Sequence, residues 1–201
     1  MPCRRGPAVD ADRAGHRFRL LRHHLDAERI RSGLALALWG LFKKVVVADR
    51  LSLYVDAVYG RVELHNGATL LLATYAFAFQ IYCDFSGYSD MALATAGLLG
   101  YSLPKNFDYP FFARSIGEFW QRWHISLSTW FRDYFYFALG GSKGSNLKGA
   151  LVGSATMMVV GLWHDAGWQY VGFGVLMSGS IMVSRAWDGV IILNLISAFE
   201  G

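Results

Sequence analysis

The sequence predicts an all-α fold, a polytopic membrane helix bundle with re-entrant or interfacial helices. Two uncharged runs carry this prediction: Gly149–Trp163 holds fifteen residues without a charge, and Ala166–Ser184 holds nineteen. A hydrocarbon core about 30 Å thick needs roughly 20 mainly apolar helical residues to cross it. In addition, 17% of the residues are charged, whereas soluble domains average about 25%. These runs are too long for the core helices of an ordinary soluble domain.

The net charge of +4 does not indicate a nucleic-acid partner, because the basic residues are scattered singly between apolar segments. Lys and Arg that flank membrane spans on the cytoplasmic side account for the same balance. We expect residues 1–32 to form a polar N-terminal segment and residues 33–201 to form a membrane-embedded core. The two cysteines, Cys3 and Cys83, offer neither a disulfide framework nor a metal spacing. Cys83 is expected to be a small buried hydrophobe.

The first apolar segment, Gly33–Phe42, is interrupted by Lys43 and Lys44 and is expected to be a span end or an interfacial helix. The mixed stretch Asp49–His65 is expected to be a loop with a helical turn.

Two further apolar segments, Gly67–Cys83 and Met91–Pro104, are separated by the polar stretch DFSGYSD. We expect a hairpin here, with Gly87 dividing the helices and Pro104 ending the second one. The hairpin would place residues 43–66 and 105–148 on one side of the membrane, the cytoplasmic side by their Lys and Arg content.

Ser115–Glu118 matches the S-x-x-E capping box and should open one long aromatic helix, SIGEFWQRWHISLSTWFRDYFYF. Apolar residues recur at three- and four-residue spacing along it. Its remaining charges suit a membrane interface or the wall of a buried cavity. Gly140–Gly149 is expected to be a flexible connector, and Val190–Phe199 is expected to begin another span.

Three groups of residues could carry chemistry. His164 lies between the two uncharged runs, where a neutral imidazole suits a general base, although it could also end a span and face water. His124 follows Arg122 among tryptophans and could be structural or catalytic. Asp84 and Asp90 lie between apolar segments and need partners. The sequence contains no G-x-S-x-G elbow, no H-E-x-x-H motif and no Cys/His metal set.

Several blocks in the same order resemble the membrane-bound O-acyltransferase family: GLFKKVVVADRL, QIYCDFSGYSDMA, LPKNFDYPF, FWQRWHISLSTWFRDYFYFALGG and GLWHDAGW. The resemblance covers roughly residues 27–178. It is greatest to the bacterial branch that acetylates alginate or transfers D-alanine to teichoic acids.

The resemblance implies a bundle of membrane helices around a funnel, in the bacterial inner membrane, with many passes. His164 corresponds to the family's W-H-G-A histidine and His124 to its R-W-H-x-S histidine. The implied reaction moves an acyl group, expected to be acetyl, from a thioester donor to a hydroxyl of an exported polysaccharide such as alginate. The donor would be acetyl-CoA or an acyl carrier protein. No bound cofactor or metal is expected. D-alanylation of teichoic acid is the alternative. The implied partners are membrane lipids, the polysaccharide and an extracytoplasmic acetyl-transfer protein.

Within that reaction, we expect His164 to take the proton of the attacking hydroxyl and His124 to be the second catalytic residue. Arg122, Trp123 and His124 are open alternatives as donors to the developing oxyanion. The side chains expected to bind substrate are Arg122, Trp123, Asp84, Tyr88, Asp90 and Trp163.

Two departures from the family pattern bear on activity. Asp165 stands where the family has glycine, and a carboxylate there is expected to raise the pKa of the base or to crowd the funnel. Residues 1–26 match the family poorly, which is typical of a fragment. The competing hypotheses are a non-catalytic membrane scaffold or channel component, and an inactive fragment.

Overall fold

The computed structural model describes residues 27–141, 146–165 and 167–199, with side chains described as far as Ser184 apart from positions 146 and 147. Residues 1–26, with Cys3, lie outside the described residues. Every regular element in the described part is helical, so the all-α prediction is confirmed. The chain divides into two compact units, residues 1–105 (unit 1) and residues 106–201 (unit 2). Each unit is described by itself below.

The first helical stretch of unit 1 runs without a break through helix α1 (Ala27–Leu41), a π-helical segment (Phe42–Ala48) and helix α2 (Asp49–Tyr59). A single 3₁₀ turn, Val62–Leu64, follows. The expected loop over Asp49–His65 is therefore wrong for most of its length. Val55 and Val58 are both only 2% exposed, and their burial against the neighbouring helix favours continued helix over a loop.

Helix α3 spans Gly67–Leu99, so the expected hairpin at DFSGYSD is wrong. The helix begins where the side chain of Asn66 accepts a hydrogen bond from the Thr69 N–H (2.9 Å). It ends where Gly100 adopts a left-handed conformation (φ 91°), four residues before the predicted stop at Pro104. The assignment of residues 43–66 and 105–148 to one side of the membrane loses its basis with the hairpin.

Among the described residues, α3 is the one helix that is long and apolar enough to cross a membrane. That finding rests on length and composition. It supports a membrane protein, and the predicted bundle of several passes stays a prediction.

Gly87 serves close helix packing instead of dividing the helix. A Cβ atom at Gly87 would lie 2.7 Å from the carbonyl oxygen of Gly40 in α1, and a Cβ atom at Gly40 would lie 2.6 Å from the carbonyl oxygen of Gly87. The two backbones therefore meet where neither helix has a side chain. Small residues at a helix crossing permit this approach.

Both aspartates of DFSGYSD pair with lysines of the π-helical segment. Lys44 Nζ lies 2.6 Å from Asp84 Oδ1 and 3.0 Å from Asp49 Oδ1, and Lys43 pairs with Asp90. A π-helical turn is wider than an α-helical turn, so consecutive side chains diverge less around the axis. The two adjacent lysines can therefore both reach α3. The helix continues through Lys43 and Lys44, and a span end or an interfacial helix at this point stays a prediction. Cys83 of α3 is buried (8% exposed), as expected.

The aromatic stretch of unit 2 forms two short helices, α4 (Ile116–Arg122) and α5 (Ile125–Phe131), followed by a π-helical segment (Arg132–Tyr136). A 3₁₀ turn at Pro110–Phe112 precedes them. The predicted single helix is wrong because Trp123 is extended (φ −105°, ψ 128°) and His124 is left-handed (φ 44°, ψ 55°).

The predicted capping box at the start of α4 is confirmed in its first half. The hydroxyl of Ser115 accepts a hydrogen bond from the Glu118 N–H (3.1 Å). The carboxylate of Glu118 accepts from the Arg114 N–H (2.6 Å), one residue before the standard partner.

Helices α6 (Asn146–His164) and α7 (Trp168–Phe199) form a hairpin. The expected connector Gly140–Gly149 is helical from Asn146 onward, and Val190–Phe199 continues α7 instead of starting a new helix. Small residues line the hairpin seam. A Cβ atom at Gly174 would lie 2.8 Å from the Cα atom of Met158, and one at Gly161 would collide with the carbonyl oxygen of Tyr170.

Candidate functional site

His164 is the last residue of α6 and is exposed at the tip of the hairpin in unit 2. Three aromatic rings surround it. Its imidazole is stacked with Tyr170 (6.4 Å between centroids, 17° between planes) and meets Phe173 edge-on at 6.4 Å. Trp163, its neighbour in the chain, lies 5.1 Å away. Because Tyr170 and Phe173 lie in the first two turns of α7, both arms of the hairpin fix the direction of the ring.

His124 reaches the same place from the break between α4 and α5. Its ring meets Trp163 edge-on at 6.4 Å, so Trp163 contacts both histidines. His124 is half-buried, and this burial lowers its pKa, with a further lowering from the nearby charge of His164. Helices α4 and α5 have seven residues each and are too short to span a membrane. A lowered pKa keeps the imidazole of His124 neutral near pH 7, with one N–H to donate.

The other two candidate oxyanion donors are engaged elsewhere in unit 2. Trp123 stacks on Phe119 (5.5 Å, 18°) and meets Phe107 edge-on at 5.1 Å. The guanidinium of Arg122 lies 2.5 Å from the carboxylate of Glu118 in an ion pair along α4. Of the three candidates, His124 is the one whose ring lies against Trp163 of the hairpin that carries His164.

Asn106 was not singled out from the sequence, yet it holds the break at which His124 lies. Its backbone carbonyl accepts a hydrogen bond from the Ile125 N–H (2.9 Å), and its side-chain oxygen accepts from the Ser126 N–H (3.3 Å). Asparagine is a good helix cap. The usual capping position immediately precedes the helix, and Asn106 lies 20 residues before Ser126, so local pattern gives no signal for it.

Asp84, Tyr88 and Asp90, also predicted to bind substrate, lie in unit 1. Asp84 and Asp90 are both ion-paired, with Lys44 and Lys43. Tyr88 is 64% exposed and stands on the wall of an open groove of about 770 Å³ along the second half of α3. The ion pairs give Asp84 and Asp90 a structural role. Contact of Asp84, Tyr88 and Asp90 with substrate stays a prediction.

No group of three or more His, Cys, Asp or Glu side chains arranged for a metal ion occurs within the described ranges. The side chains that meet around Trp163 are the imidazoles of His124 and His164, and the rings of Tyr170 and Phe173 lie against His164. Such a set can move a proton and donate a hydrogen bond to a developing oxyanion.

A sequence model of the membrane-bound O-acyltransferase family matches residues 27–195. The chain belongs to the membrane-bound O-acyltransferase family. The resemblance of the sequence blocks is thereby confirmed, and the membership extends through both units and both histidines.

Three relatives are named for three different activities within the family. The probable alginate O-acetylase AlgI of Azotobacter vinelandii is 39% identical over 164 residues, which is 82% of this chain and 32% of that protein. The peptidoglycan O-acetyltransferase of Helicobacter pylori is 35% identical over 165 residues, 82% of this chain and 31% of that protein. The teichoic acid D-alanyltransferase of Streptococcus thermophilus is 38% identical over 120 residues, 56% of this chain and 29% of that protein. The chain spans about a third of the length of these relatives.

Proposed function

We propose that this protein is a multi-pass acyltransferase of the bacterial inner membrane that moves an acetyl group from a thioester donor to a hydroxyl of an exported polysaccharide such as alginate. The observation that carries the proposal is the contact of one ring, Trp163, with both His124 and His164. The relatives named as O-acetylases support acetyl as the acyl group. D-alanylation of teichoic acid is the alternative within the same chemistry.

In the proposed reaction, His164 acts as general base and takes the proton of the acceptor hydroxyl as the oxygen attacks the thioester carbonyl. The tetrahedral intermediate then collapses, the C–S bond breaks, and His164 returns the proton to the leaving thiolate. An ester and a free thiol result, and the imidazole is restored. General base catalysis of this kind contributes about 10²–10⁴-fold.

His124 supplies the hydrogen bond to the developing oxyanion. Its lowered pKa keeps it a neutral donor near pH 7. A donor already in place when the charge develops costs no reorganisation, and removal of one such donor typically lowers kcat about 10²–10³-fold.

The donor is acetyl-CoA or an acyl carrier protein on the cytoplasmic side, and the acceptor lies outside. This arrangement needs a protein that spans the bilayer, which α3 supports by its length and composition. We include an extracytoplasmic partner protein in the proposal because delivery to an exported polymer continues beyond the membrane.

The test is His164→Ala in the intact protein, with the ester content of the polysaccharide measured by mass spectrometry and the protein level in the membrane measured in parallel. We expect acetylation to be lost while the membrane level is kept. His124→Ala should leave a residual rate that is lower than wild type by about 10²–10³-fold. His65→Ala, at a histidine of unit 1, is the matched control and should be active. Continued acetylation by the His164 variant would remove the assignment of the base.

Two further outcomes separate the competing hypotheses. Disruption of the gene without any change in acyl content would favour a non-catalytic scaffold or channel component. Asp165 is exposed beside the base, and an inactive wild type that gains activity as Asp165→Gly would show that this carboxylate silences the site.

A further inference from the structure

Helix α5 begins directly after His124 and lacks a side-chain cap of its own. His124 occupies the capping position in a left-handed conformation (φ 44°, ψ 55°), and its side chain makes no cap hydrogen bond. The first N–H groups of a helix have no partner within that helix and need an acceptor from elsewhere. For Ile125 and Ser126 the acceptor is Asn106 (2.9 Å and 3.3 Å).

The short segment that follows Asn106 also fixes the other side of the break. The Asp108 N–H donates a hydrogen bond to the carbonyl oxygen of Arg122 (3.0 Å), at the end of α4. The segment 106–108 therefore bonds to the last residue of α4 and the first two residues of α5. Trp123 and His124 are the two residues held between these bonds.

A left-handed backbone is strained for histidine and persists only where the surroundings impose it. Here the two hydrogen bonds accepted by Asn106 hold the backbone of His124 in this conformation. Because Asn106 caps α5, the imidazole of His124 does not have to do so. With the capping bonds in place, the ring of His124 lies against Trp163. In a continuous α-helix the N–H groups of Ile125 and Ser126 would bond to the carbonyl oxygens four residues earlier, so their bonds to Asn106 favour the break over the single helix that the sequence pattern predicts.

We infer that Asn106 is a positioning residue for the acyl transfer, one that holds His124 against Trp163 by capping α5 from outside. The inference rests on the proposed function, in which His124 donates to the oxyanion. Asn106 is not expected to touch substrate.

The first test compares Asn106→Ala with Asn106→Asp in the intact protein in membranes. Aspartate keeps a side-chain oxygen and caps helices as well as asparagine does. We expect the alanine variant to lower kcat by about 10–100-fold, the scale of a small misplacement near the reacting atoms. The KM for the thioester donor should stay unchanged, and the aspartate variant should recover most of kcat.

The second test is a double-mutant cycle with His124→Asn, since asparagine tolerates the left-handed conformation. If Asn106 acts through His124, Asn106→Ala should cause no further loss in this background. An equal loss in both backgrounds would overturn the inference and leave Asn106 with a general structural role. An Asn106→Ala variant with wild-type kcat would also overturn it.

Hydrogen exchange followed by mass spectrometry gives a readout that does not depend on activity. In Asn106→Ala the amide of Ser126 should exchange faster, because its acceptor is the deleted side-chain oxygen, and in Asn106→Asp it should stay protected. Unchanged protection in Asn106→Ala would show that Asn106 is not the cap. If the wild type has no acyltransferase activity, the proposed function fails while this measurement still decides whether the cap exists.

Discussion

Lys43 Nζ lies 2.8 Å from Asp90 Oδ2, and the two side chains are only 11% and 21% exposed. The same ammonium donates a hydrogen bond to the hydroxyl of Ser86 (3.0 Å). The pair joins the π-helical segment to α3, a mostly apolar helix. A charge in such a helix is tolerated where a partner neutralises it.

Breaking this pair should destabilise unit 1 strongly. Asp90→Asn leaves the ammonium of Lys43 buried without a counter-charge, and loss of one partner of a buried pair costs about 3–5 kcal/mol. The combined change Lys43→Met with Asp90→Leu should recover most of that loss, because no charge remains unpaired. Thermal unfolding of the purified protein in detergent measures both effects.

The control for this prediction is Glu28→Gln, which removes the ion pair with Arg31 (3.0 Å, 72% and 78% exposed). Exposed pairs contribute about 0–1 kcal/mol. A large loss in Glu28→Gln, or no loss in Asp90→Asn, would contradict the prediction.

Gly87→Ala should separate α1 from α3. The added methyl group would meet the carbonyl oxygen of Gly40 at 2.7 Å, so the backbones must move apart, at a cost of about 1–3 kcal/mol. Gly97→Ala in the same helix is the control because its added Cβ atom meets nothing within 4 Å. It should be neutral or gain up to about 1 kcal/mol from the better helix propensity of alanine. Equal melting temperatures for the two variants would argue against the close contact.

The stability of unit 2 should fall as the pH falls below the ordinary histidine pKa. Burial lowers the pKa of His124 from 6.5, and the charge of His164 lowers it further. As the pH falls, the unfolded chain therefore binds the proton first, and stability is lost from about pH 6.5 down to the folded-state pKa. Melting temperatures at about pH 7.5 and about pH 5.5 bracket the start of this loss.

His124→Asn should show a smaller drop in melting temperature between those two pH values, while His65→Asn in unit 1 should keep the full drop. An identical drop in all three proteins would assign the pH dependence to other groups.

The break at Trp123–His124 could not be predicted because the signal for it is non-local. Apolar residues keep helical spacing through the stretch, so the local pattern indicates one helix. The acceptor that caps α5 comes from Asn106, and the bond that fixes α4 comes from Asp108. Tertiary hydrogen bonds outside the stretch override its helical pattern.

The hairpin expected at Gly87 was wrong for a related reason. Glycine among polar residues is typical of a turn, yet here the glycine admits a second backbone, and the two acidic residues pair with lysines 40 and 47 positions earlier. By contrast, the cap at Ser115 depends on a residue three positions away and was predictable. The family assignment needed only the order of the motifs.

The seam of the α6–α7 hairpin limits how far motifs alone can assign activity within this family. Gly161 and Gly174 allow the two helices to meet, and Ser178 bonds across them to the carbonyl of Ser154 (3.2 Å). His164 ends α6 three residues after Gly161, so a bulkier residue at either glycine would slide the histidine along Tyr170 and Phe173. A homologue could therefore keep both histidine motifs and still be inactive. Surveys of acyltransferase genes should weigh these two small residues alongside the histidines.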